Sequence, residues 1–129
     1  MGLVIHFDPP NNDGFDDHRC KITVEGPGFS GETRYRNIDV RAFALLARDT
    51  AEFPIVNRLA YEWFDGLLTF HLESLGSLGD LRLMLRMAEE IDRNEVTVDT
   101  RTTYAALQRF SSELSILIER GEGEASLVG

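Results

Sequence analysis

Leu59-Ala60-Tyr61-Glu62-Trp63-Phe64-Asp65-Gly66-Leu67-Leu68-Thr69-Phe70-His71-Leu72 is the stretch from which the rest of the chain can be read. An Asp-Gly pair between two apolar-rich runs suits a two-residue type I′ turn, because both central positions need positive φ. Taken literally, the turn sets Phe64 against Leu67, Trp63 against Leu68, Tyr61 against Phe70 and Leu59 against Leu72. Large residues then meet large residues, while Ala60, Glu62, Thr69 and His71 share the other face. A slip by one residue would scramble both faces, so the match supports the hairpin independently of its turn.

Working outward, strand periodicity recurs on both sides. Toward the N-terminus, residues 3–7 alternate with Leu3, Ile5 and Phe7 on one face, and residues 19–25 turn Cys20, Ile22 and Val24 inward. Between them, residues 8–17 hold two prolines, two asparagines and four acids, which reads as a solvated loop. Gly26-Pro27-Gly28-Phe29-Ser30-Gly31 breaks the pattern, and residues 32–36 form a third strand carrying Tyr35. The period then lengthens: Asp39 offers an N-cap, and Val40, Phe43, Ala44 and Ala47 repeat at helical spacing to about residue 51. Phe53-Pro54 ends that helix, because proline disfavours helix in the residue before it.

Beyond the hairpin, Leu81, Leu83, Leu85 and Met87 alternate with Arg82, Met84 and Arg86. Residues 89–94 make a charged turn, after which Val96 and Val98 alternate with Glu95, Thr97 and Asp99. Neighbouring strands would set Arg82 and Arg86 across from Glu95 or Asp99. A closing helix starts near Thr100 or Thr102, with Tyr104, Leu107, Phe110, Leu114, Leu117 and Ile118 as its stripe, interrupted by Ser111. Residues 121–129 read as a frayed tail. The expected fold is a single α+β domain over residues 1–129, ordered βββαββββα. It has a mostly antiparallel sheet of about six to seven strands and two helices packed on one face.

Composition bounds the function. A chain of 129 residues with 43% hydrophobic and 27% charged residues is ordinary for one globular domain. A single cysteine, Cys20, excludes a disulfide framework and a cysteine zinc cluster. No apolar run is long enough for a signal-peptide core or a membrane helix, so the chain reads as cytosolic. Twenty-two acids against thirteen bases give a net charge of −9. Such a field repels nucleic acid and anionic membranes and attracts a basic protein.

Motifs for chemistry are incomplete. His6, His18 and His71 are scattered and give no three convergent metal ligands. The Asn11-Asn12-Asp13-Gly14 run has its glycine where a calcium loop needs one. However, Pro9 stands at the first ligand position and no closing glutamate follows. The glycine-rich stretches at 26–31 and 76–79 lead into strands and lack the lysine of a phosphate loop. No serine has a nucleophile-elbow context, and Cys20 lies mid-strand on an apolar face. The Glu89/Glu90 pair falls in a charged turn. No catalytic residue, metal or cofactor is assigned. The acids gather instead around Asp13, Asp16 and Asp17, and around Glu89, Glu90, Asp92 and Glu95. Clustered acid of this kind suits docking on a basic partner, and it also suits plain solvation.

Val24-Glu25-Gly26-Pro27-Gly28-Phe29-Ser30-Gly31-Glu32, the hairpin about Asp65-Gly66, and Val96-Thr97-Val98-Asp99-Thr100-Arg101-Thr102-Thr103-Tyr104 running into a helix together resemble the WapI-type immunity protein family. The resemblance covers about residues 19–119 and rests on the order and spacing of short pieces. Gly79-Asp80 stands where that family usually has Gly-His, and residues 8–17 have no clear counterpart. What the resemblance implies is a non-catalytic protein that binds and neutralises a cognate bacterial toxin, such as a basic nuclease, in a stoichiometric complex. The alternative is a structural or regulatory interaction domain, including a homo-oligomer that pairs exposed strand edges.

Overall fold

The computed structural model describes residues 2–7, 20–26, 28–35, 43–55, 58–63, 66–76, 79–88 and 94–128. In chain order its elements are β1 (Gly2–Phe7), β2 (Cys20–Gly26), β3 (Phe29–Tyr35), α1 (Ala44–Thr50), β4 (Leu59–Trp63) and β5 (Leu68–Ser74). They continue with β6 (Asp80–Ala88), β7 (Glu95–Thr103), α2 (Tyr104–Arg120) and β8 (Gly123–Val128). The class is α+β, as the periodicities imply. The central hairpin also pairs in the expected register, with Leu59 opposite Leu72, Tyr61 opposite Phe70 and Trp63 opposite Leu68; Phe64 and Asp65, and with them the expected turn, lie outside the described residues.

The single sheet of six or seven strands is corrected to two four-stranded antiparallel sheets, ordered β3-β2-β1-β8 and β4-β5-β6-β7. Alternation reveals which face of a strand is apolar, but not which strands share a ladder. Helix α1 has only seven residues, so the two helices could not cover one broad one-sided sheet. The chain instead turns two narrow apolar faces toward one buried cluster. Leu3, Ile5, Phe7, Ile22, Ala125 and Leu127 enter it from the first sheet, and Leu68, Phe70, Leu72, Leu83 and Leu85 from the second. Leu46, Leu107, Phe110 and Leu114 complete it from the helices.

The expected frayed tail is corrected to β8, which pairs with β1 along its length, Ala125 opposite Ile5 and Leu127 opposite Leu3. Gly121 makes the return possible. Its φ of +74° and its N–H bond to Leu117 O at 2.8 Å end α2 in the left-handed turn that glycine favours. Helix α2 then covers the outer side of β8, where Glu113 Oε1 accepts from the Ser126 N–H at 3.1 Å. The Thr102 hydroxyl donates to Val128 O at 3.2 Å, which gives another backbone group of β8 a partner.

Three boundaries also move. Strand β7 runs to Thr103, which caps α2 by accepting from the Ala106 N–H, so the helix begins at Tyr104 and not near Thr100 or Thr102. Helix α1 begins at Ala44 with Phe43 at its N-cap, and Asp39 lies outside the described residues. Its buried face is Phe43, Leu46, Ala47 and Thr50, whereas Ala44 is exposed. Buried polar groups there are satisfied: Thr50 Oγ1 donates to Leu46 O and Ser111 Oγ to Ala47 O, each at 2.7 Å. Ser111 thus does not merely interrupt the apolar stripe; it ties α2 to α1.

The glycine-rich break is narrower than its composition suggests, because β3 resumes at Phe29, directly opposite Gly26. Gly31 belongs to that strand, and a Cβ built on it would lie 2.4 Å from Val96 Cγ2. The bare backbone therefore lets β3 close against β7. Gly31→Val should destabilise the fold by about 1–3 kcal/mol through overpacking, read as a lower urea midpoint at unchanged slope. An unchanged midpoint would mean that the two strands part without cost.

Candidate interaction surface

The outward face of the second sheet collects the polar residues that alternate with its core. Ala60, Glu62, Thr69, His71, Glu73, Arg82, Met84, Arg86, Glu95, Thr97, Asp99 and Arg101 share it by register. Arg82 stands directly opposite Arg101, and Arg86 opposite Thr97. Like charges in direct opposition repel, and Thr97 offers no countercharge, so on β7 each guanidinium reaches a diagonal acid. Arg82 Nε and Nη2 donate to Asp99 Oδ1 and Oδ2 at 3.0 and 2.6 Å, and Nη1 donates to Glu73 Oε1 at 3.4 Å. Arg86 Nε and Nη2 donate to Glu95 Oε1 and Oε2 at 2.8 and 3.1 Å, while Nη1 reaches Gly66 O at 3.3 Å. Both are two-pronged guanidinium–carboxylate pairs. The expected match of Arg82 and Arg86 with Asp99 and Glu95 is present, as diagonals.

Hydrogen bonds from Arg82 and Arg86 hold the Asp99 and Glu95 carboxyls below their ordinary values of 3.8 and 4.5. A carboxyl lowered by folding adds stability above its unfolded value and loses it as pH falls through the folded one. The pairs are exposed and screened, so their contribution is small. Replacing both arginines by methionine should lower the melting temperature slightly near neutrality. That gap should close as pH drops from about 5 to about 2, which calorimetry across that range would register. A gap that widens in acid would contradict the assignment.

Of the acids expected to meet a partner, Glu95 is tied to Arg86 and does not stand as free negative charge. Asp13, Asp16, Asp17, Glu89, Glu90 and Asp92 lie outside the described residues. His71, Glu62 and Arg86 do share the outward face of the second sheet. His71 sits opposite Ala60 and Met84 in the two ladders and bonds to the Arg58 guanidinium. That link and the Tyr61–Asp49 bond had no local sequence signal, since their partners come together only through tertiary packing. The Tyr61 hydroxyl donates to Asp49 Oδ2. Burial and then Asp49 hold its ionisation well above the ordinary tyrosine range, while that bond lowers Asp49. Cys20 is buried in the core.

A groove of about 350 Å³ runs between the helices, lined by Ala44, Ala47, Arg48, Ala51, Ser111, Ser115 and Ile118. Arg48 is its single titratable side chain, and it is turned to Asp49 at 3.1 Å. That lining offers no acid–base pair for chemistry.

Ring contacts link the end of β1 to one end of the second sheet. Phe7, the last residue of β1, packs its ring 5.8 Å from that of Phe43, which lies 5.1 Å from that of Trp63 at the end of β4. Phe7 pairs with Cys20, so these two residues bracket 8–19. At the matching end of the second sheet, the Ala88 N–H donates to Leu67 O at 2.7 Å, bringing the strand ends that flank 64–65 and 89–93 side by side. Among the described residues no group of three or more His, Cys, Asp or Glu could hold a metal ion. Nor is any described helix long and apolar enough to cross a membrane. Comparison with family models, curated proteins and solved structures finds no match in any of the three.

Proposed function

We propose that this chain is a non-catalytic immunity-type protein of the cytosol that neutralises a basic bacterial toxin, a nuclease being the natural candidate, by stoichiometric binding. The observation that carries this reading is the joint placement of charge and scaffold. The chain bears a net −9, and Phe7, which precedes 8–19, packs through Phe43 against Trp63, at the same end of the second sheet as Ala88, which precedes 89–93. Meanwhile Glu95 and Asp99, the described members of the second acidic group, are matched by arginines. The carboxylates of 8–17 and 89–92 are then the natural contact groups. Nucleases that grip a phosphate backbone present cations, and an acidic surface over such a groove competes with substrate. The resemblance in order and spacing to WapI-type immunity proteins points the same way.

The test is binding to the toxin encoded beside this gene, measured by calorimetry at several salt concentrations. A one-to-one complex that weakens at least about tenfold between low and high salt is expected. Replacing Asp13, Asp16 and Asp17 together by asparagine should weaken it further, mostly through slower association. Absence of binding, or binding indifferent to salt, would refute the electrostatic mechanism.

A further inference from the structure

We propose that the free side of β4 is a homodimer edge, on which a second copy of this chain pairs its own β4 antiparallel about a two-fold axis through Ala60. Strand β4 is outermost in the second sheet, and among the described residues β5 alone pairs with it. Unpaired edges are templates for another strand, and proteins usually guard them with proline, lysine or a bulge. Leu59-Ala60-Tyr61-Glu62-Trp63 contains neither proline nor lysine and pairs continuously with β5.

The hairpin register decides which groups face outward. The Ala88 N–H donates to Leu67 O and the Leu75 N–H to Asp80 O, so the odd-numbered residues of β5 turn their N–H and C=O groups toward β6, and Leu68, Phe70 and Leu72 turn theirs toward β4. Leu59, Tyr61 and Trp63 stand opposite Leu72, Phe70 and Leu68 and therefore direct their N–H and C=O groups toward β5, whereas Ala60 and Glu62 present theirs to the free side. With Ala60 on the axis, Ala60 exchanges both hydrogen bonds with Ala60 of the partner subunit, a pair whose Cα atoms stand about 5.5 Å apart. A small, exposed residue suits that approach.

Charge selects this register over its neighbours. The same axis sets Arg58 against Glu62 of the partner subunit, and by symmetry Glu62 against Arg58 of the partner subunit. Both side chains are exposed on the outward face. Moving the axis to Tyr61 would leave Arg58 without an acid, and moving it to Glu62 would oppose like charges. Arg58 already bonds His71 through Nη2, but a guanidinium has five donors and can serve both. On the inward face, Leu59 and Tyr61 are half-buried in one copy, and pairing covers them further. Tyr61 also stacks on Trp63 with centroids 5.5 Å apart and planes 7° apart, a rigid apolar border. The product is one continuous eight-stranded sheet across two copies.

An interface of this size is weak, with a dissociation constant on the order of tens of micromolar. Sedimentation velocity of the full chain from about 5 to about 500 µM brackets that value. The sedimentation coefficient should climb from monomer to dimer across the range. Arg58→Glu or Glu62→Arg alone should raise the dissociation constant about tenfold or more, since each creates two like-charge contacts. The two together should restore it to within about threefold. Both residues are exposed, so the single variants should keep the wild-type circular dichroism spectrum. Three results would overturn the proposal: a wild-type chain that stays monomeric, a dimer untouched by either swap, or a double variant that fails to recover.

Discussion

A chain truncated after Gly121 should fail to unfold cooperatively, although it loses only the eight residues after Gly121. Strand β8 is the second neighbour of β1, pairing from Gly2–Val128 to Phe7–Gly123. Its removal turns an interior strand into a bare edge and uncovers the flank of α2. Ala125 and Leu127 are fully buried, and Leu127→Ala alone should cost about 2–5 kcal/mol. Adding a lost ladder and an unpaired edge exceeds what a domain with about 5–15 kcal/mol of stability can absorb. Far-UV circular dichroism against urea checks this. The full chain should give one sigmoid, Leu127→Ala the same shape at a lower midpoint, and the truncated chain a shallow drift. Glu124→Ala, at an exposed position of the same strand, should stay within about 0.5 kcal/mol of wild type. A truncated chain with a sharp transition near the wild-type midpoint would mean that β8 is the fringe its composition suggests.

That contrast shows what the sequence could and could not reveal. The central hairpin was legible because turn chemistry and side-chain matching are both local, and both demanded one register. The ends of strands were harder. Thr100 and Thr102 continue the alternation of Val96 and Val98, but threonine near a helix start reads as a cap. What makes Thr102 a strand residue is its place in the β6–β7 ladder opposite Leu81, a pairing that joins distant strands and leaves no local signal. Two glycines and two glutamates at 121–124 concealed β8, whose inward positions are only Ala125 and Leu127. The division into two sheets was invisible for a related reason. Periodicity specifies faces, whereas the β1–β8 ladder joins opposite ends of the chain. At the candidate surface, the sequence supplied the arginine–acid match but not its diagonal geometry. Glu95 therefore read as a contact group when its carboxylate is already engaged by Arg86.

Phe43→Ala should carry the other large effect, about 3–5 kcal/mol, because its ring bridges the two sheets. Phe43 is fully buried and touches Phe7 of the first sheet and Trp63 of the second, with centroids 5.8 and 5.1 Å away. It also opens α1 without any side-chain cap, so its packing, and not a capping bond, fixes where that helix starts. Deleting the ring leaves a cavity at the junction of both sheets and the helix, which α1 cannot fill without breaking the bond from Ser111 Oγ to Ala47 O. Phe43→Leu keeps most of the volume and should cost less, about 1–2 kcal/mol. Trp63 is the only tryptophan in the chain, so its fluorescence reports on this junction while circular dichroism reports on the whole fold. For Phe43→Leu the two transitions should coincide at a slightly lower urea midpoint. For Phe43→Ala the emission should move to longer wavelength before secondary structure is lost. Binding ties the measurement to function. If 8–17 and 89–92 act as one surface, they depend on the strand ends that Phe43 holds together. Phe43→Leu should then weaken the toxin complex more than an equally destabilising Leu114→Val in α2. Equal losses from the two variants would show that the acidic stretches bind independently of the scaffold between them.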